Sequence, residues 1–167
     1  MAGPHTLAET ERTAESRLTD LEIDFQAMAV VSNLFRAANA VRNHMEGTVL
    51  AKSDLTWTAF VVLWIAWIWG EAETRMIAEE SGVSKATLSG VLNTLEKRGL
   101  AKRKRSEEDG RLVLVTLTPA GTRLIKKLFP EINEQEQVAT SRMDVKQQEL
   151  AADLLRQLVL ATGHPEG

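Results

Sequence analysis

No cysteine occurs in the chain, which excludes disulfides, thiolate metal sites and cysteine-based redox sensing. Histidine is scarce as well. His5, His44 and His164 lie far apart in the sequence, so no metal site is expected of them. Long hydrophobic runs are missing. The longest, Phe60–Trp69 (FVVLWIAWIW), has ten residues, about half of the roughly 20 that a membrane-spanning helix needs. It reads as a buried helix, and no membrane partner is expected. The first twenty residues are polar and acidic and lack the apolar core of a secretory signal, which points to a cytoplasmic protein. Paired carboxylates, nucleophile–base arrangements and phosphate-binding glycine loops are also wanting. The expectation is a protein that is not an enzyme and carries no cofactor.

What is present is unevenly distributed. The chain of 167 residues has a net charge of −3, but Ser84–Arg111 holds eight Lys/Arg against four acids, +4 locally and −7 over the remainder. Segregation of this kind fits a localised anionic partner. The length suits one compact domain with helical extensions.

Residues 1–19 read as a flexible tail. From Leu21, the apolar residues Phe25, Met28, Phe35 and Val41 recur with helical spacing, predicting one long helix to about Met45. Thr56 is placed to cap a second helix carrying Trp57, Phe60, Val61, Trp64 and Trp67, with a short extended piece at Trp67–Trp69 before Gly70. A short helix over Thr74–Glu80 follows and ends at Gly82. Ser84 then caps another helix with Leu88, Leu92 and Leu95 on one face, which Gly99 stops. The period changes there. Leu100–Ser106 and Leu112–Thr118 read as two strands joined by a turn over 107–111. Thr118-Pro119 opens a helix that Pro130 is expected to break or bend. Asp144, with Gln147 three residues on, opens the last one.

Short helix, glycine turn and capped second helix are the order of a helix-turn-helix, which places its second helix in the major groove of double-stranded DNA. The three leucines anchor that helix, leaving Ser84, Lys85, Thr87, Ser89 and Asn93 on or beside its outward face as candidate contacts. No acid occurs over 85–95, as a surface facing phosphates requires. The hairpin makes the unit a winged one. Lys102, Arg103, Lys104 and Arg105 would run beside a phosphate backbone, with Arg111 reaching a minor groove. Asp109 is the candidate carboxylate for supporting Arg111 at the wing tip.

Residues 75–121 (RMIAEESGVSKATLSGVLNTLEKRGLAKRKRSEEDGRLVLVTLTPAG) resemble the MarR family of bacterial transcription regulators. Asp109-Gly110-Arg111 matches the family's Asp-x-Arg wing motif, and Leu117-Thr118-Pro119-Ala120-Gly121 matches the opening of the next helix. The likeness extends more loosely over 20–160. It implies a mainly α fold with a small β-hairpin, in which 53–121 form a winged helix-turn-helix lobe. It also implies that 20–52 and 122–162 supply the helices of a homodimer. MarR-like proteins often bind small aromatic or phenolic anions between dimer helices and lobe, so His44, Trp57, Phe60 and Trp64 become candidate effector-pocket residues. The chain departs from the family at Gly90 and Thr94, where Arg is common, which weakens the case for arginine–guanine readout by this helix. The function expected is a DNA-binding regulator acting as a repressor on a pseudo-palindromic operator. The alternative is a dimeric winged-helix protein-interaction module that binds no DNA.

Overall fold

The computed structural model describes residues 5–162, so His164 and the first four residues of the expected tail lie outside the described part. Element order is α1 (Leu7–Arg17), α2 (Phe25–Thr48), a 3-10 turn (Leu50–Ser53), α3 (Trp57–Trp69), β1 (Ala72–Glu73), α4 (Thr74–Ser81), α5 (Lys85–Lys97), β2 (Ala101–Arg105), β3 (Val113–Leu117), α6 (Pro119–Ala139) and α7 (Val145–Ala161). The architecture is mainly α with one small antiparallel sheet.

The greasiest segment becomes the hub. Thr56 Oγ1 accepts from the Ala59 amide at 3.2 Å and starts α3, which buries Phe60, Val62, Leu63, Ile65 and Ala66. Around it pack α4, α5, α6 and the sheet. Leu88, Leu92 and Leu95 of α5 and Ile125, Leu128 and Ile132 of α6 complete the core. A buried leucine of this kind is worth about 1.5–3 kcal/mol over leaving it in water.

The hairpin pairs β2 with β3 from Ala101↔Leu117 to Arg105↔Val113. β1 adds to the other edge of β3, giving the order β1-β3-β2. At two residues, β1 is too short to show the alternation that reveals a strand in sequence. The join from β2 and β3 into α6 explains the Thr-Pro-Ala-Gly run. Thr118 Oγ1 accepts from the Gly121 amide at 3.1 Å and donates to the Gly99 carbonyl at 2.6 Å. A Cβ on Gly121 would overlap the Leu100 carbonyl, so only glycine fits there.

Four expectations need correction. Residues 7–17, expected within a flexible tail, form α1, because Thr6 and Glu9 make a complete capping box with bonds of 3.2 and 2.7 Å. α2 starts at Phe25 instead of Leu21, since Asp24 accepts from the Ala27 amide at 2.9 Å and fixes the start. Trp67–Trp69 is helical to its end, not extended. Of the break or bend expected at Pro130, the break does not occur, and α6 runs through it to Ala139. A proline removes one helical hydrogen bond, and burial of Leu128 and Ile132 on either side holds the helix across that gap.

The terminal helices contrast with the lobe. α7 buries none of its residues, and α2 buries only Met45. Val30, Val31 and Phe35 of α2 and Leu150, Leu154, Leu155 and Val159 of α7 are exposed.

Candidate nucleic-acid interface

α4 ends at Gly82, whose φ of +65° gives the left-handed cap that turns the chain. Ser84 then caps α5, its Oγ accepting from the Thr87 amide at 3.1 Å and lying 2.9 Å from Thr87 Oγ1. The hydroxyls of Ser84 and Thr87 thus take part in starting the helix. Lys85, Ser89 and Asn93 stand at intervals of four, on one exposed face of α5. A trough of about 450 Å³ runs between this face and the wing, lined by Arg75, Lys85, Ser89, Arg103, Arg111 and Leu112 among others.

The basic run of the wing does not act as one strip. Strand alternation puts Arg103 and Arg105 on one face of the sheet and Lys102 and Lys104 on the other. Arg103 turns to α5. Its backbone N–H donates to Glu96 Oε1 at 2.8 Å, its Nε and Nη2 donate to Glu96 Oε2 at 3.1 and 2.5 Å, and Nη2 also donates to Asn93 Oδ1 at 2.6 Å. Both partners of this ion pair are 29 % exposed. The Arg103 guanidinium, foremost among its neighbours, holds the Glu96 carboxyl below its usual range, against a smaller opposing effect of burial. Lys104 reaches Glu71 at 2.5 Å, and that carboxylate raises its ammonium pKa. Two residues expected beside phosphates thus each hold an ion pair within the lobe. Arg105 is exposed, as is Lys102.

At the wing tip Arg111 and Asp109 form a two-pronged pair. Arg111 Nε donates to Asp109 Oδ1 at 3.1 Å and Nη2 to Oδ2 at 2.9 Å, while the Arg111 backbone N–H donates to Oδ1 at 3.0 Å. These bonds lower the Asp109 pKa and raise that of Arg111. Ser106 orders the same tip, its Oγ accepting from the amides of Glu108 and Asp109 at 3.2 and 3.3 Å. Even so, the Arg111 side chain remains 90 % exposed.

Three structural residues escaped the sequence reading. Glu96 sits just beyond the acid-free stretch of α5 and clamps the wing to it. Arg98, at the end of α5, donates to the Ser53 and Asp54 carbonyls at 2.6 and 2.5 Å, tying α5 to the turn before α3. Asp54 has a φ of +48°, the one positive value on a non-glycine residue among those described. Ser106 is the third. Only the basic and acidic residue types hinted at the first two, because their partners lie on other elements.

The four candidate effector-pocket residues have different surroundings within the chain. Phe60 is 4 % exposed and belongs to the core, stacked at a tilt on Trp57 with ring centroids 5.6 Å apart. Trp57, Val61, Trp64 and Ile68 instead form a stripe along the outer side of α3, with Trp64 36 % exposed. His44 Nε2 is 2.8 Å from Gln135 Oε1, bridging α2 and α6. Among the described residues no cluster of acids and histidines could hold a metal. No described helix is long and apolar enough to cross a membrane.

Helix, glycine turn, capped helix and two-stranded wing, set on a core of their own, define a winged helix-turn-helix protein. Comparison with known proteins refines this. The chain belongs to the MarR family, whose pattern it matches over residues 55–113. It is 37 % identical over 155 residues to the uncharacterized HTH-type transcriptional regulator YwaE of Bacillus subtilis (strain 168), covering 91 % of each chain. Among solved structures it is similar to Bordetella bronchiseptica BpsR, whose DNA binding is regulated by 6-hydroxynicotinic acid. The TM-score there is 0.70 at 29 % identity, over 78 % of this chain and 98 % of that one. It is also similar to Streptomyces coelicolor PcaV, solved in complex with its natural ligand, with a TM-score of 0.70 at 25 % identity over 86 % and 99 % of the two chains. The chain is therefore a MarR-family transcriptional regulator, and its family and relatives are regulators, not enzymes.

Proposed function

We propose that this regulator is a cytoplasmic, homodimeric repressor that grips a pseudo-palindromic operator. α5 of each copy enters a major groove, and Arg111 of each wing reaches the neighbouring minor groove. The observation that carries the reading is Arg111. Its guanidinium is oriented by both oxygens of Asp109 and yet is 90 % exposed. A cation held in place at a protruding tip suits the narrow, strongly negative minor groove. Lys85 and Ser89 supply the open, acid-free face of α5, with Asn93 beside them. Lys102 and Arg105 are the wing cations that take phosphates, while Arg103 and Lys104 are engaged by Glu96 and Glu71.

The homodimer rests on the exposed leucines and valines of α2 and α7, a face that a second copy would cover. Two lobes on one duplex require half-sites about 34–36 Å apart. The response to an aromatic acid rests on the outer stripe of Trp57, Val61 and Trp64 and on the ligand-responsive relatives BpsR and PcaV. Coupling of about 1–3 kcal/mol between such a site and the lobe would release DNA severalfold or more.

The test is a titration of promoter-proximal DNA fragments across salt concentrations. Phosphate contacts make log K fall with log salt, by about 0.9 per phosphate neutralised. A flat response, or no binding to any fragment, would favour the protein-docking alternative. An added phenolic acid should change tryptophan fluorescence and lower DNA affinity together; fluorescence unmoved across such acids would return the stripe to a packing role.

A further inference from the structure

Lys85, Ser89 and Asn93 form one stripe of α5, and Asn93 is the member that touches the wing. Arg103 Nη2 lies 2.6 Å from Asn93 Oδ1 while the rest of the fork grips Glu96. A guanidinium carries five N–H donors and no acceptor, so the amide atom that faces it must be the oxygen. The NH2 end of Asn93 is then the end turned away from the wing, on an exposed part of the helix.

Resting on the DNA-binding reading above, the geometry points to Asn93 as a donor-only reader of guanine, with Arg103 and Glu96 as the positioning residues that make it so. An asparagine that reads adenine uses both ends of its amide, the oxygen accepting from the N6 amino group and the nitrogen donating to N7. Here the oxygen is already held by a charged donor, and charge-assisted bonds are about twice as strong as neutral ones. An adenine amino group, itself a donor, would have to approach beside a guanidinium. Guanine presents two acceptors, N7 and O6, to the same place. The free NH2 of Asn93 donates to them, and the adjacent positive charge favours an acceptor-rich edge. Glu96 fixes the arrangement from the other side by accepting from both the backbone and the side chain of Arg103, so the donor pattern is set before DNA arrives. The polarity of Asn93 is thus decided by a residue of the wing, although the contact belongs to the helix.

Selection of bound duplexes from random DNA by the full chain, by Asn93→Ala and by Arg103→Met tests this. The wild-type motif should contain a symmetry-related pair of guanines enriched about five- to tenfold, the lower end for a base contact. Asn93→Ala should flatten that position alone and leave the others as they were. Arg103→Met frees the amide oxygen and should move the same position from guanine towards adenine. Since that variant leaves Glu96 without its partner, Glu96→Gln/Arg103→Met is run beside it, with the same shift expected. A wild-type motif that persists while Asn93→Ala weakens every position alike, or while both Arg103 variants keep guanine, overturns the proposal and leaves DNA binding standing. A wild-type chain that enriches no sequence overturns both together.

Discussion

Between Met45 and Ile132 the chain supplies its own core, with Leu63, Leu95 and Ile125 wholly buried, whereas α7 buries nothing and leaves Leu150, Leu154, Leu155 and Val159 in solvent. Both regions have well-made local structure. α7 carries a complete capping box between Asp144 and Gln147, with bonds of 2.9 Å each way, as sound as the cap of any helix in the lobe. The difference therefore lies in packing and not in helix formation. Caps and spacing suffice to form a helix end, but most helical stability comes from burying an apolar face. The lobe finds that burial within one chain, and under the dimer proposed above the terminal helices would find it in a second copy.

The comparison breaks most visibly in the lobe. Leu92→Ala removes a side chain that is 1 % exposed and should cost about 2–5 kcal/mol in chemical denaturation, through lost burial and the cavity left behind. Leu154→Glu/Leu155→Glu should do the reverse. It leaves the circular dichroism of the lobe intact and weakens self-association on the order of 100-fold, because each copy would bring charge into an apolar contact. Gly121→Ala forces a methyl group against the Leu100 carbonyl and should cost about 1–3 kcal/mol, again with no change in self-association.

The smallest effect expected is at the α5–wing clamp. Glu96 has a depressed pKa in the folded chain, with the Arg103 hydrogen bond as the main cause. Its contribution is therefore fully present above the ordinary glutamate value of about 4.3 and is lost as pH falls through the depressed folded value. Glu96→Gln should lower stability by up to about 1 kcal/mol at neutral pH. The gap to wild type should close on acidification below about pH 4, as followed by thermal denaturation. A gap that widens in acid would show that the carboxylate is not stabilised by its partner.

Much of the fold was legible because its signals are local. Thr56, Ser84, Thr118 and Asp144 each cap the helix that their position in the sequence announces. The three leucines of α5 mark its buried face, and the strands of the wing follow the change of period after Gly99. The remaining features depend on contacts between different elements, or on caps in segments with few apolar residues. Lys102–Arg105 has the composition of a phosphate-binding strip, but alternation sends Arg103 to Glu96 and Lys104 to Glu71, neither of which a run of charges identifies. Phe60 shares a helix with four tryptophans, yet the rotation of α3 turns it into the core and leaves Trp64 outside. The capping box of α1 is local and was readable. The segment has few apolar residues to mark it as a helix, and α1 indeed buries none. Arg98 reads as one more basic residue at a helix end until the carbonyls of Ser53 and Asp54 are placed beside it.

The claim on which the account turns is that α2 and α7 unite two copies so that two lobes can meet one operator. The most direct test is sedimentation of the chain, alone and with a selected operator duplex. The account predicts a species of twice the 18.5 kDa chain mass in both cases, with one duplex per two chains. It also predicts that Leu154→Glu/Leu155→Glu sediments as a single chain and loses the operator. A wild-type chain that stays single at micromolar concentration, and binds the operator as one copy, would contradict it.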